Sequence, residues 1–585
     1  MIRTCVGILV LACVVVVGLS GSAWGQVSPF TRVEFDADGT LMVTLDGARV
    51  PLVLLGGVPT AELIARAKRE FGDDWQKRIG EDLLEVFEAL EVELTREDAI
   101  DVVIFRDGEF VEIADAPMTS SNRMAIWEWN HTARIDHFDD LVAVIKARHA
   151  YASMRGVDVA GEAERLKREI GDGASRDDVL LAMQRLVSML GDGHATIEDW
   201  DASFPAGRLP MLLIAVEGGV AAVENDRGAL VDAEHPYVVS IDGVPLGSWV
   251  QAASAYVAAG SEQLVLKRSL RLLRYVNFVR GELGVSQAGT VEVVLSDGTG
   301  GERVVERRVV ERRGLYGQWP RTESGVLEGG VGYLRLPRMS ASDRERDESR
   351  WISLLREELA RVTADASGLI IDVRGNGGGR RTPIGALMPC LMEPGAAPVV
   401  VNAARYRLEQ GDDPGRRRGY LRDRSLYPEA WDGWTDAERA SIAAFRDRFT
   451  PAWEVPGEGF SDWHYMIVSP GGEGVPRFDG SVVVLMDENC FSATDIFLGA
   501  LAELPNVTLV GTPSAGGSAR IVRHHAGAAR VWLASMASYQ PNGQLYDGNG
   551  VRPDVIVEKR PGDVVLGGGD AQLDRALAIV KEQGR

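Results

Sequence analysis

Leu369-Ile370-Ile371-Asp372-Val373-Arg374-Gly375-Asn376-Gly377-Gly378-Gly379 decides how this chain is read. Five residues, four of them β-branched or aliphatic, form a continuous apolar run. That pattern predicts a strand buried on both faces of a sheet. The run ends in a glycine cluster. Glycines at the carboxyl end of a strand let the backbone turn sharply and present its N–H groups, which suit an anion or a developing oxyanion. A phosphate loop would need GxxxxGK[ST], and a dinucleotide loop GxGxxG; neither spacing is present. A plain tight turn fits the motif equally well.

Outward from this run, residues 325 to 560 alternate strand, helix and strand. Val331–Leu336 reads as a strand, Trp351 to Val362 as a helix face, and Val482–Met486 and Val507–Val510 as strands flanking a helix over Asp495–Leu504. Alternation of this kind predicts a mostly parallel α/β core. A charged, Trp-rich stretch, 402–464, interrupts it. Between the later strand and helix lies Asp487-Glu488-Asn489-Cys490-Phe491-Ser492-Ala493-Thr494-Asp495. Ser492 reads either as an N-cap with Asp495 three residues on, or as a nucleophile where the helix dipole favours negative charge. The stretch is no G-x-S-x-G elbow. Cys490 is a rival nucleophile that would need a lowered pKa.

At 585 residues the chain exceeds one core, and about four domains are expected. Lys plus Arg total 63 and Asp plus Glu 85, so the formal charge is −22. Such a chain repels phosphate backbones and anionic membrane surfaces, so neither nucleic acid nor membrane is expected as a partner beyond export. Arg3, the uncharged run Cys5–Leu19 and Ala23-Trp24-Gly25 have the layout of a secretory signal over 1–25. The protein is therefore expected to be secreted or periplasmic. Of four cysteines, Cys5 and Cys13 fall in that signal. Cys390 and Cys490 remain, as a disulfide or as two buried thiols.

Residues 26–130 read as a small α/β unit without a chemical motif. Residues 131–204 read as helical. Ser175 and Asp178 outline a capping box, and the following helix ends before Gly191-Asp192-Gly193-His194. Residues 205–313 read as short strands with a helix over 248–258, 314–560 as the α/β core, and 561–585 as a C-terminal helix or tail.

Three stretches taken together resemble the tail-specific (C-terminal processing) serine peptidase family. They are Gly191-Asp192-Gly193-His194-Ala195-Thr196, then Leu369 to Gly379, then Phe491-Ser492-Ala493-Thr494-Asp495-Ile496-Phe497 leading to Gly511-Thr512-Pro513-Ser514-Ala515-Gly516-Gly517. The resemblance implies a crotonase-like α/β core, a helical N-terminal subdomain and a PDZ-like insert at 205–313. The Lys that the bacterial branch pairs with its Ser falls at Gly517, so a Ser–Lys dyad is unsupported. The tricorn-like branch uses a His at the place of His194 and an acid before a Gly-x-Gly-Val-x-Pro-Asp-like stretch. Here that acid is Asp547, one methylene shorter than the family's Glu, and residue 193 is Gly where that branch has Ser.

The resemblance thus implies Ser492 as nucleophile, His194 as base and Asp547 as its orienting acid. The N–H groups of Ala493 and of Gly377 or Gly378 would form the oxyanion hole. His524 and His525 are a fallback base. No histidine shows metal-ligand spacing with Cys or acidic partners, so neither metal nor cofactor is expected. Arg380-Arg381 and Arg416-Arg417-Arg418 read as solvated loops or as a clamp for a substrate carboxylate. The expected activity is cleavage of peptides or unfolded protein segments. The alternative is a non-catalytic relative that binds peptides or apolar ligands. Oligomeric state and cleavage preference stay open.

Overall fold

The computed structural model describes residues 26–585 apart from 37–38, 46, 93–98, 107, 133, 172, 312–321, 341–346, 409–420 and 584–585. The expected signal over 1–25, with Cys5 and Cys13, and the arginines 416–418 lie outside the described residues. The chain divides into two units, 1–132 and 133–585.

In the first unit, strands Arg32–Phe35, Leu41–Leu45, Ala48–Leu55, Ala99–Arg106 and Glu109–Pro117 form an antiparallel meander. Helix Thr60–Phe71 ends at Gly72, whose φ of 53° favours a residue without a Cβ. Two short helices follow, Trp75–Glu81 and Leu83–Ala89. Leu41, Val43, Leu55, Leu63 and Phe87 build this unit's own core.

The second unit is organised by a six-stranded sheet in the order Gly325–Leu327, Val331–Arg335, Gly368–Asp372, Val482–Met486, Val507–Gly511, Val555–Ile556. All its pairings are parallel except the first. Strand Gly368–Asp372 is buried throughout, and its side chains alternate between two cores. Leu369 and Ile371 pack with helices Glu348–Thr363 and Ala493–Leu501. Ile370 packs with Ala576 and Val580 of helix Ala571–Gln583. That last helix is therefore part of the core sandwich rather than a tail. The other boundary to move is that of the expected insertion. Residues 399–406 are a strand, which pairs with His464–Val468 and Met536–Tyr539 in a second sheet.

Helices His137–Arg148, Val159–Ile170 and Arg176–Ser188 pack around Phe138, Leu141, Leu166 and Met183. The capping box at Ser175 and Asp178 starts the third helix. The chain then forms the two-residue strand Thr196–Ile197. This pairs with Ala529–Ala534 of a C-terminal hairpin, which carries the intervening His194 loop to the end of the core sheet.

Residues 205–313 hold an antiparallel sheet whose edge strands are Met211–Val216 and Glu302–Arg308. Three helices cover it, Leu246–Ser254, Glu262–Leu272 and Val276–Glu282, where the sequence suggests one. Trp249 is fully buried and donates from Nε1 to the Ile241 carbonyl at 3.0 Å.

Candidate active site

The site lies at the carboxyl ends of two neighbouring parallel strands, where open α/β sheets place their ligands. The loops after them are stitched together. Phe491 N–H donates to Asn376 O at 3.2 Å, and Gly375 N–H donates to Asp487 Oδ1 at 2.9 Å. The Asn376 side chain donates to Leu336 O at 2.9 Å and is fully buried. Beneath the loop, Asp372 accepts from Tyr333 Oη at 2.6 Å and pairs with Arg335 and Arg374. These cations hold its carboxyl below the usual range despite burial. The Asp of the apolar run is thus an anchor, not a reacting group.

Ser492 takes φ 61° and ψ −121° immediately before helix Ala493–Leu501, and its side chain makes no capping bond. Ser492 thus occupies the N-cap position, as one of the two readings expected, but leaves its hydroxyl unused as a cap. Asp495 is no capping partner either. It accepts from Ser514 Oγ, from Gly516 N–H at 3.2 Å and from Gly517 N–H at 3.0 Å. Burial pushes its carboxyl up to about 7.

Gly378 (φ 103°) lies against the Ser492 turn. A Cβ there would sit 2.6 Å from Phe491 O and 2.7 Å from Ser492 Cβ. The Gly378 N–H is committed to Asn376 Oδ1 at 3.0 Å. Among the described residues, the N–H groups of Gly377 and Ala493 have no hydrogen-bond partner, and a Cβ on Gly377 would meet nothing within 4 Å.

His194 is held from behind. Its N–H donates to Asp192 Oδ1 at 2.8 Å, and Asp192 Oδ2 accepts from Ala534 N–H at 2.7 Å. His149 Nε2 lies 3.3 Å from the same carboxylate. Burial pushes the His194 imidazole down to about 4, with Arg268 and Arg424 adding to it and Asp192 opposing. The ring is therefore neutral at pH 7.

One ring nitrogen of His194 and one carboxylate oxygen each of Asp192 and Asp547 lie within 4.8 Å of one another. Neutral imidazole with two carboxylates could hold a divalent cation, an arrangement that sequence spacing did not reveal. Asp547 Oδ2 accepts from Tyr151 Oη at 2.8 Å and Ser518 N–H at 3.1 Å. Its Oδ1 and His194 Nδ1 are both buried without a partner. Burial and the Asp192 charge push the Asp547 carboxyl up to about 7. Tyr151, Asp192 and His149 were not singled out from sequence. Only the Asp192 position beside Gly193-His194 carried any signal.

The Phe491 ring lies against the imidazole, centroids 4.5 Å apart. Gly193 and Gly517 make room for it. A Cβ at 517 would lie 2.4 Å from Phe491 Cε2, so a Lys there would require the Phe491 ring to move. Among the described residues no hydrogen bond joins Ser492 to His194. Lys559 is paired with Asp487 and Glu488. Cys390 and Cys490 are buried free thiols, not a disulfide. Burial and the Asp487 charge raise the Cys490 thiol well above its ordinary value, which removes it as a nucleophile. His524 and His525 lie on strand Ile521–Ala526, opposite Val531 and Arg530.

The site thus joins a parallel α/β core to a positive-φ serine set between strand and helix. Residues 330–557 match the sequence model of peptidase family S41. Over that stretch the chain resembles the family, and it is a serine-type peptidase. No curated protein sequence matches it. Among solved structures it is similar to mature CPAF, at 15% identity over 77% of this chain and 96% of that one, with a TM-score of 0.54. Mature CPAF complexed with lactacystin gives 16%, 77%, 97% and 0.52. The photosystem II D1 C-terminal processing protease gives 15%, 73%, 93% and 0.36. At such identities the CPAF likeness speaks to the fold.

Proposed function

We propose that the chain is an exported endopeptidase that cleaves peptides or unfolded protein segments through Ser492, His194 and Asp547. The observation that carries this reading is Ser492 itself. Its positive φ costs about 1–3 kcal/mol, and its hydroxyl is not used as a cap. Strain without a structural return suits a group held for chemistry.

In this mechanism Ser492 Oγ attacks the scissile carbonyl as His194 Nε2 takes its proton. The imidazolium then donates from Nδ1 to Asp547 Oδ1, which matches the two orphaned buried atoms. Tyr151 and Ser518 hold the other carboxylate oxygen, which offsets the shorter reach of Asp relative to Glu. The oxyanion is received by the N–H groups of Ala493 and Gly377, since that of Gly378 is already committed. His194 returns the proton to the leaving amine, and water releases the acyl group by the same route. Gly517 fits this scheme because Phe491 fills the space where a dyad Lys would stand.

In the same reading the core is crotonase-like, 131–204 is the helical subdomain that delivers the base, and 205–313 is a PDZ-like insert. Among the described residues no helix is long and apolar enough to cross a membrane. Export rests on the 1–25 pattern alone.

A second reading is a peptide binder without turnover. It is favoured by the lack, among the described residues, of a hydrogen bond between Ser492 and His194, whose ring instead lies against Phe491. The mature chain and its Ser492→Ala variant, incubated with an unfolded protein and read by product mass, separate the two. Cleavage by the first alone supports the peptidase; no cleavage by either folded protein supports the binder.

A further inference from the structure

Two carboxylates converge on the base where a proton relay needs one. Asp192 and Asp547 come from loops far apart in sequence, and both are fully buried. One oxygen of each lies within 4.8 Å of the other and of a ring nitrogen of His194. Among the described residues neither carboxylate has a lysine or arginine within ion-pair distance; the partner of Asp192 is His149, at 3.3 Å. Buried like charges repel one another, and burying them without a cation is costly.

The three groups are supported in the manner of metal ligands. Asp192 Oδ1 accepts from His194 N–H at 2.8 Å, and its Oδ2 accepts from Ala534 N–H at 2.7 Å. Asp547 Oδ2 accepts from Tyr151 Oη at 2.8 Å and from Ser518 N–H at 3.1 Å. Its Oδ1 is left without a partner, and so is the buried Nδ1 of His194. Outer hydrogen bonds of this kind fix ligating carboxylates and leave their remaining lone pairs to the cation. A relay accounts for the orphaned oxygen and nitrogen. The second carboxylate beside them supplies the charge and the third ligand that a divalent cation needs.

The donor set selects the cation. One imidazole nitrogen and two carboxylate oxygens, with a fourth position left to water, describe a zinc-type site. Bonds of about 2.0–2.2 Å place tetrahedral ligands about 3.4 Å apart, a contraction of about 1.4 Å at most from the observed separations. Ca2+ takes about six to eight oxygens and Mg2+ an octahedron, which this set does not furnish.

We propose that Asp192, His194 and Asp547 bind a divalent cation of the zinc type, and that the bound cation holds the enzyme inactive. Ligation through His194 Nδ1 and Asp547 Oδ1 takes the two atoms that share a proton when His194 acts as base. Removing the cation restores the relay. The site itself stands on geometry; only its inhibitory effect rests on the peptidase reading.

The probe is Zn2+ alone, titrated by calorimetry into the full mature chain carrying Ser492→Ala, free of any affinity tag and stripped with a chelator. One Zn2+ per chain should bind with micromolar or tighter affinity, and Mg2+ should not compete. Asp547→Asn and His194→Gln should each weaken binding by more than about 100-fold. Tyr151→Phe, which disturbs only the support of Asp547, should weaken it by about 10–100-fold. Circular dichroism checks that each variant is folded, and Tyr151→Phe decides where a ligand substitution is not. No binding, or binding that these substitutions leave untouched, overturns the site. The parent chain is then given an unfolded protein, with chelator and with Zn2+. Cleavage under chelator that stops when Zn2+ saturates the site is expected; cleavage that persists overturns the inhibitory role. Zn2+ binding at these residues without cleavage under chelator supports the site and refutes the peptidase reading alone.

Discussion

Replacing Ser492 by Gly should make the protein more stable while destroying its nucleophile. The residue sits at φ 61° and ψ −121°, where an L side chain is strained by about 1–3 kcal/mol. Gly378 sharpens this, because its backbone runs close enough to Ser492 Cβ to exclude a side chain of its own. Gly at 492 removes the strain, but it gains conformational freedom in the unfolded chain worth about 0.4–1 kcal/mol. The net expected gain is about 0.5–2 kcal/mol. Ser492→Ala keeps the Cβ and the strain, so its stability should stay within about 0.5 kcal/mol of the parent. The informative comparison is between the two variants. Both lack the nucleophile, so self-cleavage cannot distort either curve. Urea unfolding followed by tryptophan fluorescence would report the difference as a shift in midpoint at constant slope. If Ser492→Gly proves no more stable than Ser492→Ala, or less stable, the turn is not strained and the main support for Ser492 as a held nucleophile falls.

Other outcomes follow from the same geometry. If Asp547 must be ionised to receive the imidazolium, kcat/KM should rise with pH through about 7. The Tyr151 hydroxyl stabilises the charged carboxylate, and a hydrogen bond to a charged group is worth about 1.5–3 kcal/mol. Tyr151→Phe should therefore move that limb up by about one to two pH units, with activity lost at pH 7 and recovered near pH 9; a uniform loss at every pH would contradict the role. Gly378→Ala drives a Cβ into Phe491 O and Ser492 Cβ, and should lower kcat by about 10²–10³-fold, the usual cost of a damaged oxyanion hole. Gly517→Lys should destabilise the fold by about 1–3 kcal/mol through overpacking, and adding Phe491→Ala should restore most of that in thermal unfolding. Alkylating the native protein with iodoacetamide should leave cleavage untouched, because Cys490 is fully buried and its thiol is held protonated.

The parallel core was legible in the sequence because strands buried on both faces must be apolar throughout, as Leu369 to Ile371 and Val482 to Met486 are. The glycine cluster and the Ser492 stretch were legible as turns at the ends of those strands, and helix Arg176–Ser188 announced itself through Ser175 and Asp178. Local pattern suffices for such features, since each depends on neighbours a few residues away. Helix Glu262–Leu272 was not legible because Lys267, Arg268 and Arg271 interrupt its apolar stripe, and Lys267 and Arg268 are placed by the loop they meet, at Glu488 O and over the Phe491 ring.

The roles of individual groups were a tertiary matter. That Ser492 caps nothing, that Asp495 serves the 514–517 loop, and that Asp372 is an anchor all depend on partners distant in sequence. The same holds for Tyr151, which meets Asp547 across almost the whole second unit. The sequence alone determined which elements form and which residue types reach the end of the sheet. Only the folded chain decided which hydroxyl stays free, which amide is already spent and which charges lie buried together, because hydrogen-bond satisfaction and desolvation are properties of the assembled interior.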